Sequence, residues 1–218
     1  MIMPRTPKKK AEDDDPNWAA DQRVREYYYD DAHGYQTFDP DDATVIYTIG
    51  HSTRDLDDFI GLLAANEIEL VADVRSLPGS RKFPQYNKEE LEKSLPASGI
   101  EYRHLPELGG RRRANKASQN TVWRNKAFQG YADYMETPEF ADGIKQLLAV
   151  AEDERTAIMC SEAVWWRCHR SMISDYLKAA GIKVLHIIDS GNVIEHPFTS
   201  AAKIKDGRLV YGPAVETS

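Results

Sequence analysis

From Val45 onward the chain alternates short apolar runs with segments whose apolar residues recur at helical spacing. That alternation constrains the fold more than any other feature. Val45 to Ile49, Leu70 to Val74, Ile100 to Leu105, Thr156 to Met159 and Val184 to Ile188 each have the length and content of a buried strand. Between them, Leu56, Phe59, Ile60 and Leu63 share one helical face behind a Ser52–Asp55 capping pair. Asn87 and Glu90 open a helix through Leu91 and Leu95 that closes near Gly99. Thr137-Pro138 supplies the cap and first turn for Phe140, Ile144, Leu147 and Leu148. A last helix runs from about Cys168 to Ala180 and stops at Gly181. Strands separated by helices pair in parallel, because the crossover returns the chain to the same end of the sheet. The expected fold is therefore α/β. It is a single domain with a mostly parallel sheet of about five strands, helices on both faces, and a C-terminal hairpin about Asp206-Gly207.

Residues 1–43 differ in texture, with eleven acids against six bases and few apolar residues beyond Tyr27-Tyr28-Tyr29. They read as an acidic, partly disordered extension, residues 44–213 as the α/β domain, and residues 214–218 as a flexible tail. Lys8-Lys9-Lys10 beside Glu12 to Asp15 reads as a solvated charge run. The apolar runs are too short to span a bilayer, and the first residues hold no hydrophobic segment, so no membrane partner and a cytoplasmic location are expected. A net charge of −7 argues against a general nucleic-acid coat while leaving room for a local basic site. Cys160 and Cys168 make no disulfide framework and read as thiols, catalytic groups or metal ligands.

Ligands of open parallel sheets bind beyond the carboxyl ends of the strands, and the polar residues of this chain fall there. The strand ends deliver His51 and Ser52; Asp73, Arg75 and Ser76; His104, Glu107 and Gly109-Gly110-Arg111; Cys160 and Glu162; and Asp189-Ser190-Gly191. The stretch Met159–Ser171 is the richest, holding both cysteines, Trp165, Trp166, Arg167, His169 and Arg170 beside a helix start. Helix N-termini attract anions and lower thiol pKa values. Cys160 ends a strand and enters a loop, and it ranks above Cys168 as nucleophile. On a helix Cys168 aligns with Met172 and Tyr176, and His169 with Ile173 and Leu177, so both also read as core contacts. Arg170 shares a polar face with Ser174 and Lys178. Asp73 and Arg75 read equally as an ion pair joining two loops, His51 as a hydrogen bond at a helix start, and His104 as structural. As metal ligands, Cys160, Cys168, His169 and a carboxylate lack a close C-x2-C pair, and neighbours on a helix point about 100° apart. No metal and no cofactor are expected.

A second feature is basic. Arg103 to Lys126 holds seven Lys or Arg residues and one acid, Glu107, with Trp123 inside and Phe128 and Tyr131 following. Residues 109–125 read as a long loop, either a binding loop or lid with stacking aromatics, or a solvated mobile segment.

Six stretches together resemble the domain of unknown function 488 family. They are Tyr47 to Ser52, Val71 to Ser76, Pro84 to Asn87, Tyr102 to Arg111, Met159 to Glu162 and Arg167 to Ser171, in order, within a match from about Val45 to Gly212. Glu195-His196-Pro197 through Gly207-Arg208-Leu209 resembles the longer branch of that family. The resemblance implies a one-domain α/β fold with these motif positions as the shared site, and it brings no established reaction. A weaker likeness is to rhodanese and cysteine-phosphatase logic, where a thiolate sits in a loop of N–H donors. Here Trp165 and Trp166 stand where glycines would be needed, so the likeness supports an anion site more than sulfur or phosphate transfer.

The expected function is a cysteine-dependent enzyme, a transferase or hydrolase, that binds a phosphate-bearing small molecule, nucleotide or nucleic-acid end. Cys160 would be the nucleophile, Glu162 or His51 would handle protons, and Asp73 would orient Arg75. Arg75, Arg111 and Arg170 would hold anionic groups, with Ser76, Trp165, Trp166, Arg167, Cys168 and His169 completing the substrate contacts. The alternatives are a non-catalytic nucleic-acid-binding or repair-accessory module, and a metal-binding protein.

Overall fold

A computed structural model describes residues 44–205 and 208–212. The extension expected over residues 1–43, the tail over 214–218 and the Asp206-Gly207 turn lie outside the described residues.

The strands are β1 (Val45–Gly50), β2 (Leu70–Asp73), β3 (Glu101–His104), β4 (Thr156–Cys160), β5 (Lys183–Asp189) and β6 (Asn192–Glu195), in the order β3-β2-β4-β1-β5-β6. The first five run parallel and β6 pairs antiparallel with β5. A separate antiparallel hairpin joins β7 (Lys203–Lys205) to β8 (Arg208–Val210). The helices are α1 (Leu56–Ala65), α2 (Lys88–Ala97), α3 (Lys126–Tyr134), α4 (Pro138–Ala151) and α5 (Arg170–Ala179). The α/β reading, its parallel sheet and its hairpin are what the chain forms.

The two sheet faces carry two cores. Phe59 and Leu63 of α1 and Leu91 and Leu95 of α2 pack with Val71, Ala157 and Met159 on one face. Tyr131 of α3, Phe140 and Leu147 of α4, and Met172 and Leu177 of α5 pack with Ala72 and Ile158 on the other. Each such side chain taken from water contributes about 1.5–3 kcal/mol. Leu63→Ala, at a fully buried position, would cost about 2–5 kcal/mol. Because the helix after β1 lies on one face and the helix after β4 on the other, the chain parts between these adjacent strands. That switch point opens a crevice at their carboxyl ends.

Several boundaries differ from the sequence expectation. Ser52 is not a capping partner: it takes a left-handed φ of 53°, and Asp55 stands at the N-cap of α1 with no side-chain hydrogen bond. Asn87 spends its side-chain oxygen on Ser80 N, 2.6 Å away, instead of on its own helix. Thr137 does cap α4, accepting from Phe140 N. Gly191, with φ 71°, turns the chain back to make β6, whose exposed pattern gave too weak an apolar signal to read. Most consequential, α5 begins at Arg170, and Cys168 is extended (φ −126°, ψ 149°), not helical.

Candidate active site

Three strand ends are stitched together at the crevice. His51 N donates to Cys160 O and Ser52 N to Ser161 O, tying β1 to the loop after β4, while Val74 N donates to Met159 O from the β2 side. Gly50 makes the approach possible. A Cβ there would run into the carbonyl oxygen of Glu162 and lie 2.8 Å from Arg170 Nη2.

Below β2, Asp73 and Arg75 form a buried bidentate pair: Arg75 Nη2 reaches Asp73 Oδ2 at 2.6 Å and Nε reaches Oδ1 at 2.9 Å. Asp73 also accepts from Arg75 N and from the Tyr102 hydroxyl at 2.7 Å. Arg75 spends its other donors on Tyr86 O at 2.8 Å and on His51 Nε2 at 3.4 Å. His51 Nδ1 faces Ser52 O at 2.9 Å, so Nδ1 carries the proton and Nε2 is the acceptor. Burial first, then the Arg75 charge, lowers the His51 pKa to about 4. Its ring stacks on Tyr86 at 4.0 Å. With both nitrogens engaged, His51 orients Arg75 and offers no free lone pair to a substrate proton. His104 donates from Nε2 to Arg75 O at 2.8 Å, a structural role.

The thiols gather above β4. Cys160 Sγ, Cys168 Sγ and a ring nitrogen of His169 lie within 4.8 Å of one another. His169 Nδ1 is 3.5 Å from Cys168 Sγ and 3.9 Å from Cys160 Sγ. Its Nε2 lies 2.9 Å from Val74 O, an acceptor, so Nε2 holds the proton and the Nδ1 lone pair faces the sulfurs. Both cysteines are buried, Cys160 included although it ends its strand and enters a loop. Electrostatics sets the two thiols apart. The neighbouring Cys168 sulfur, together with burial, pushes the Cys160 thiol up. Burial also acts to raise Cys168, but the neighbouring Cys160 thiol, the Arg170 charge and the Arg170 backbone N–H outweigh it and bring it to about 6. Cys168 gains that N–H because it precedes α5. The same extended backbone makes Cys168 and His169 converge, where a helix would have splayed them.

Arg170, expected to hold an anionic group, lies deeper than its polar helical face with Ser174 suggests, since both residues are buried. Its Nη1 donates to Thr48 Oγ1 at 3.1 Å and its Nη2 to Glu162 O at 2.6 Å, while Nε is buried without a partner. Among the described residues no carboxylate pairs with it. Glu162 is itself exposed and enters the site through its carbonyl. Trp165 is buried, while Trp166 and Arg167 are exposed on the same loop.

Gly109 and Gly110 close one side of the site. Arg111 N donates to Ser76 Oγ at 3.1 Å, and a Cβ on Gly110 would overlap the His169 ring. The long loop that follows is fastened by Asp133 of α3, which accepts from Asn115 N, Ser118 Oγ and Asn120 Nδ2. Trp123 packs on Phe128 and Tyr211, and Arg112 lies 3.6 Å over the Tyr134 ring. Arg111 and Arg113 remain exposed.

Asp175, His186, His196 and Thr48 are buried polar residues to which the sequence reading gave no individual role, although Thr48 and His196 lie within the stretches that carry the family resemblance. His186 did leave a signal, as one imidazole inside an apolar strand.

The fold and site together define an α/β sheet protein with paired thiols, an imidazole and a buried guanidinium at its switch point. The chain belongs to the family described as Domain of unknown function DUF488, whose model matches residues 55–177, more than half of its length. No curated protein and no solved structure matches it. No helix among the described residues is long and apolar enough to cross a membrane.

Proposed function

We propose that this chain is a thiol-dependent transferase or hydrolase acting on an anionic substrate: a phosphate-bearing small molecule, a nucleotide or a nucleic-acid end. One observation carries the reading. Two sulfurs and an imidazole lone pair converge within 4.8 Å beside a buried arginine that no carboxylate among the described residues pairs with. In this reading Cys168 is the nucleophile, Cys160 its hydrogen-bond donor, and His169 the base that faces both. Arg170 supports the negative sulfur, and exposed Arg111, Trp166 and Arg167 meet the substrate. Asp73, Arg75, His51 and Ser76 hold the walls.

The test is iodoacetamide labelling, read at each cysteine by mass spectrometry. The reading expects Cys168 to label faster than Cys160, to do so well below its ordinary pKa of 9.0, and to be slowed by inorganic phosphate or pyrophosphate. Equal, slow labelling at both positions removes the nucleophile. The nucleic-acid module draws less support, because Trp123 and Arg112 are spent on internal packing.

A metal centre is the second reading. His169 Nε2 bonded to the Val74 carbonyl is the support a ligating imidazole receives, and two thiolates with one imidazole suit zinc with a fourth position open. Stoichiometric metal in protein purified without chelators, lost in Cys160→Ser and Cys168→Ser, would favour it. Metal-free protein would reject it.

A further inference from the structure

We infer that Asp175, His196, His186 and Thr48 form a buried relay of hydrogen bonds that positions Arg170 at the thiol site. The relay lies outside the residues given roles above, and its four links follow one another from Arg170 to Asp175. Arg170 Nη1 donates to Thr48 Oγ1 at 3.1 Å. Thr48 Oγ1 is 2.7 Å from His186 Nδ1. His186 Nε2 is 2.9 Å from His196 Nδ1, and His196 Nε2 is 2.9 Å from Asp175 Oδ1. Thr48, His186, His196 and Asp175 are all buried.

The relay we infer runs in one direction. Arg170 can only donate and the Asp175 carboxylate only accept. Between them Thr48 Oγ1 accepts from Arg170 and gives its own proton to His186 Nδ1, His186 Nε2–H donates to His196 Nδ1, and His196 Nε2–H donates to Asp175, one proton on each imidazole. A buried cation and a buried anion are thus joined through neutral, polarised bonds instead of by contact. Aligned bonds strengthen one another in a low-dielectric interior. The relay does not deliver protons, because a guanidinium does not give one up. What it does is fix the angle of Arg170 while leaving its charge unneutralised toward Cys168.

The far end is anchored for this purpose. Asp175 also accepts from Thr199 N at 2.8 Å, Thr199 Oγ1 at 2.6 Å and the Tyr211 hydroxyl at 2.8 Å. Trp165 stacks on His186 at 4.4 Å and meets His196 edge-on, so the relay also floors the loop that carries Trp166. Thr48, His186, His196, Thr199 and Tyr211 all lie outside residues 55–177, the part the family model covers. The segment after β5 therefore has a task at the site: it closes the relay.

The test uses NMR of the full chain. Wild type should show His186 and His196 each protonated at Nε2 only, and slowly exchanging Arg170 guanidinium protons. Thr48→Val removes the junction hydroxyl at nearly constant volume and should speed that exchange about tenfold, the worth of one hydrogen bond to a charged group. Thr48→Ser should restore it, and Asp175→Asn should speed it without touching Arg170. Unchanged exchange in Thr48→Val, or a doubly protonated His196 in wild type, overturns the relay. The importance of Arg170 for Cys168 rests on the thiolate reading, and the two fail separately. An ordinary Cys168 pKa with the relay behaviour intact removes only the thiolate. A low Cys168 pKa with unchanged Arg170 exchange in Thr48→Val removes only the relay.

Discussion

Two buried arginines flank β4 at neighbouring strand ends, and the structure treats them in opposite ways. Arg75 is held by both oxygens of Asp73 and finishes its donors on Tyr86 and His51. Arg170 meets a hydroxyl and a carbonyl, with no carboxylate beside it among the described residues. The first is a neutral bracket that joins the β2 loop to β1. The second is a net positive charge kept in the interior, which an unsupported fold would avoid. The contrast teaches where the usable charge lies. Arg75 builds the wall, and Arg170 acts on the sulfur.

The largest effect that would sharpen this contrast is on stability. Asp73→Asn leaves Arg75 buried without its counter-charge and should cost about 3–5 kcal/mol in urea unfolding. Arg170→Met strips a charge that has no carboxylate partner among the described residues and should cost about 1–3 kcal/mol, the penalty for the acceptors it leaves behind. Equal losses would erase the distinction.

The next effect is on the thiol. Arg170→Met should raise the Cys168 pKa by about one unit or more, since a nearby cation favours the thiolate. Arg75→Met should move it far less, because Asp73 already cancels that charge. A larger shift from Arg75→Met would reverse the assignment.

A smaller effect is the acid dependence of the bracket. His51 is neutral in the fold, with its pKa lowered from 6.5 to about 4. Protonation below 6.5 therefore favours the unfolded chain. The stability this adds is complete above pH 6.5 and is lost as pH falls toward 4. The difference between wild type and His51→Gln should show that slope across this window. Parallel curves would mean that His51 titrates normally.

Much of the fold was legible because it is written in local patterns: apolar runs at strand length, Thr137-Pro138 at a helix start, Gly181 at a helix end. The gathering of His51, Asp73, Arg75 and Cys160 at one rim followed from parallel topology. What escaped was decided by a shift of two residues. Starting α5 at Arg170 instead of Cys168 takes Cys168 off the helix, turns its sulfur toward His169 and hands it a backbone N–H. Arg170 was read as an anion holder, but its burial and its link to Asp175 escaped for a different reason. A helical wheel sorts residues by polarity, and it reads a polar stripe as facing water unless something identifies the polar residues buried against it. Those residues, Thr48, His186 and His196, come from β1, β5 and the segment after β6, which no periodicity connects.

The most direct test is an NMR titration of isotope-labelled cysteine Cβ resonances in the full chain, which reads each thiol whether or not a reagent can reach it. The account predicts that Cys168 loses its proton near pH 6 while Cys160 stays protonated past the ordinary thiol range. A Cys168 that titrates at 9.0 or above would contradict it.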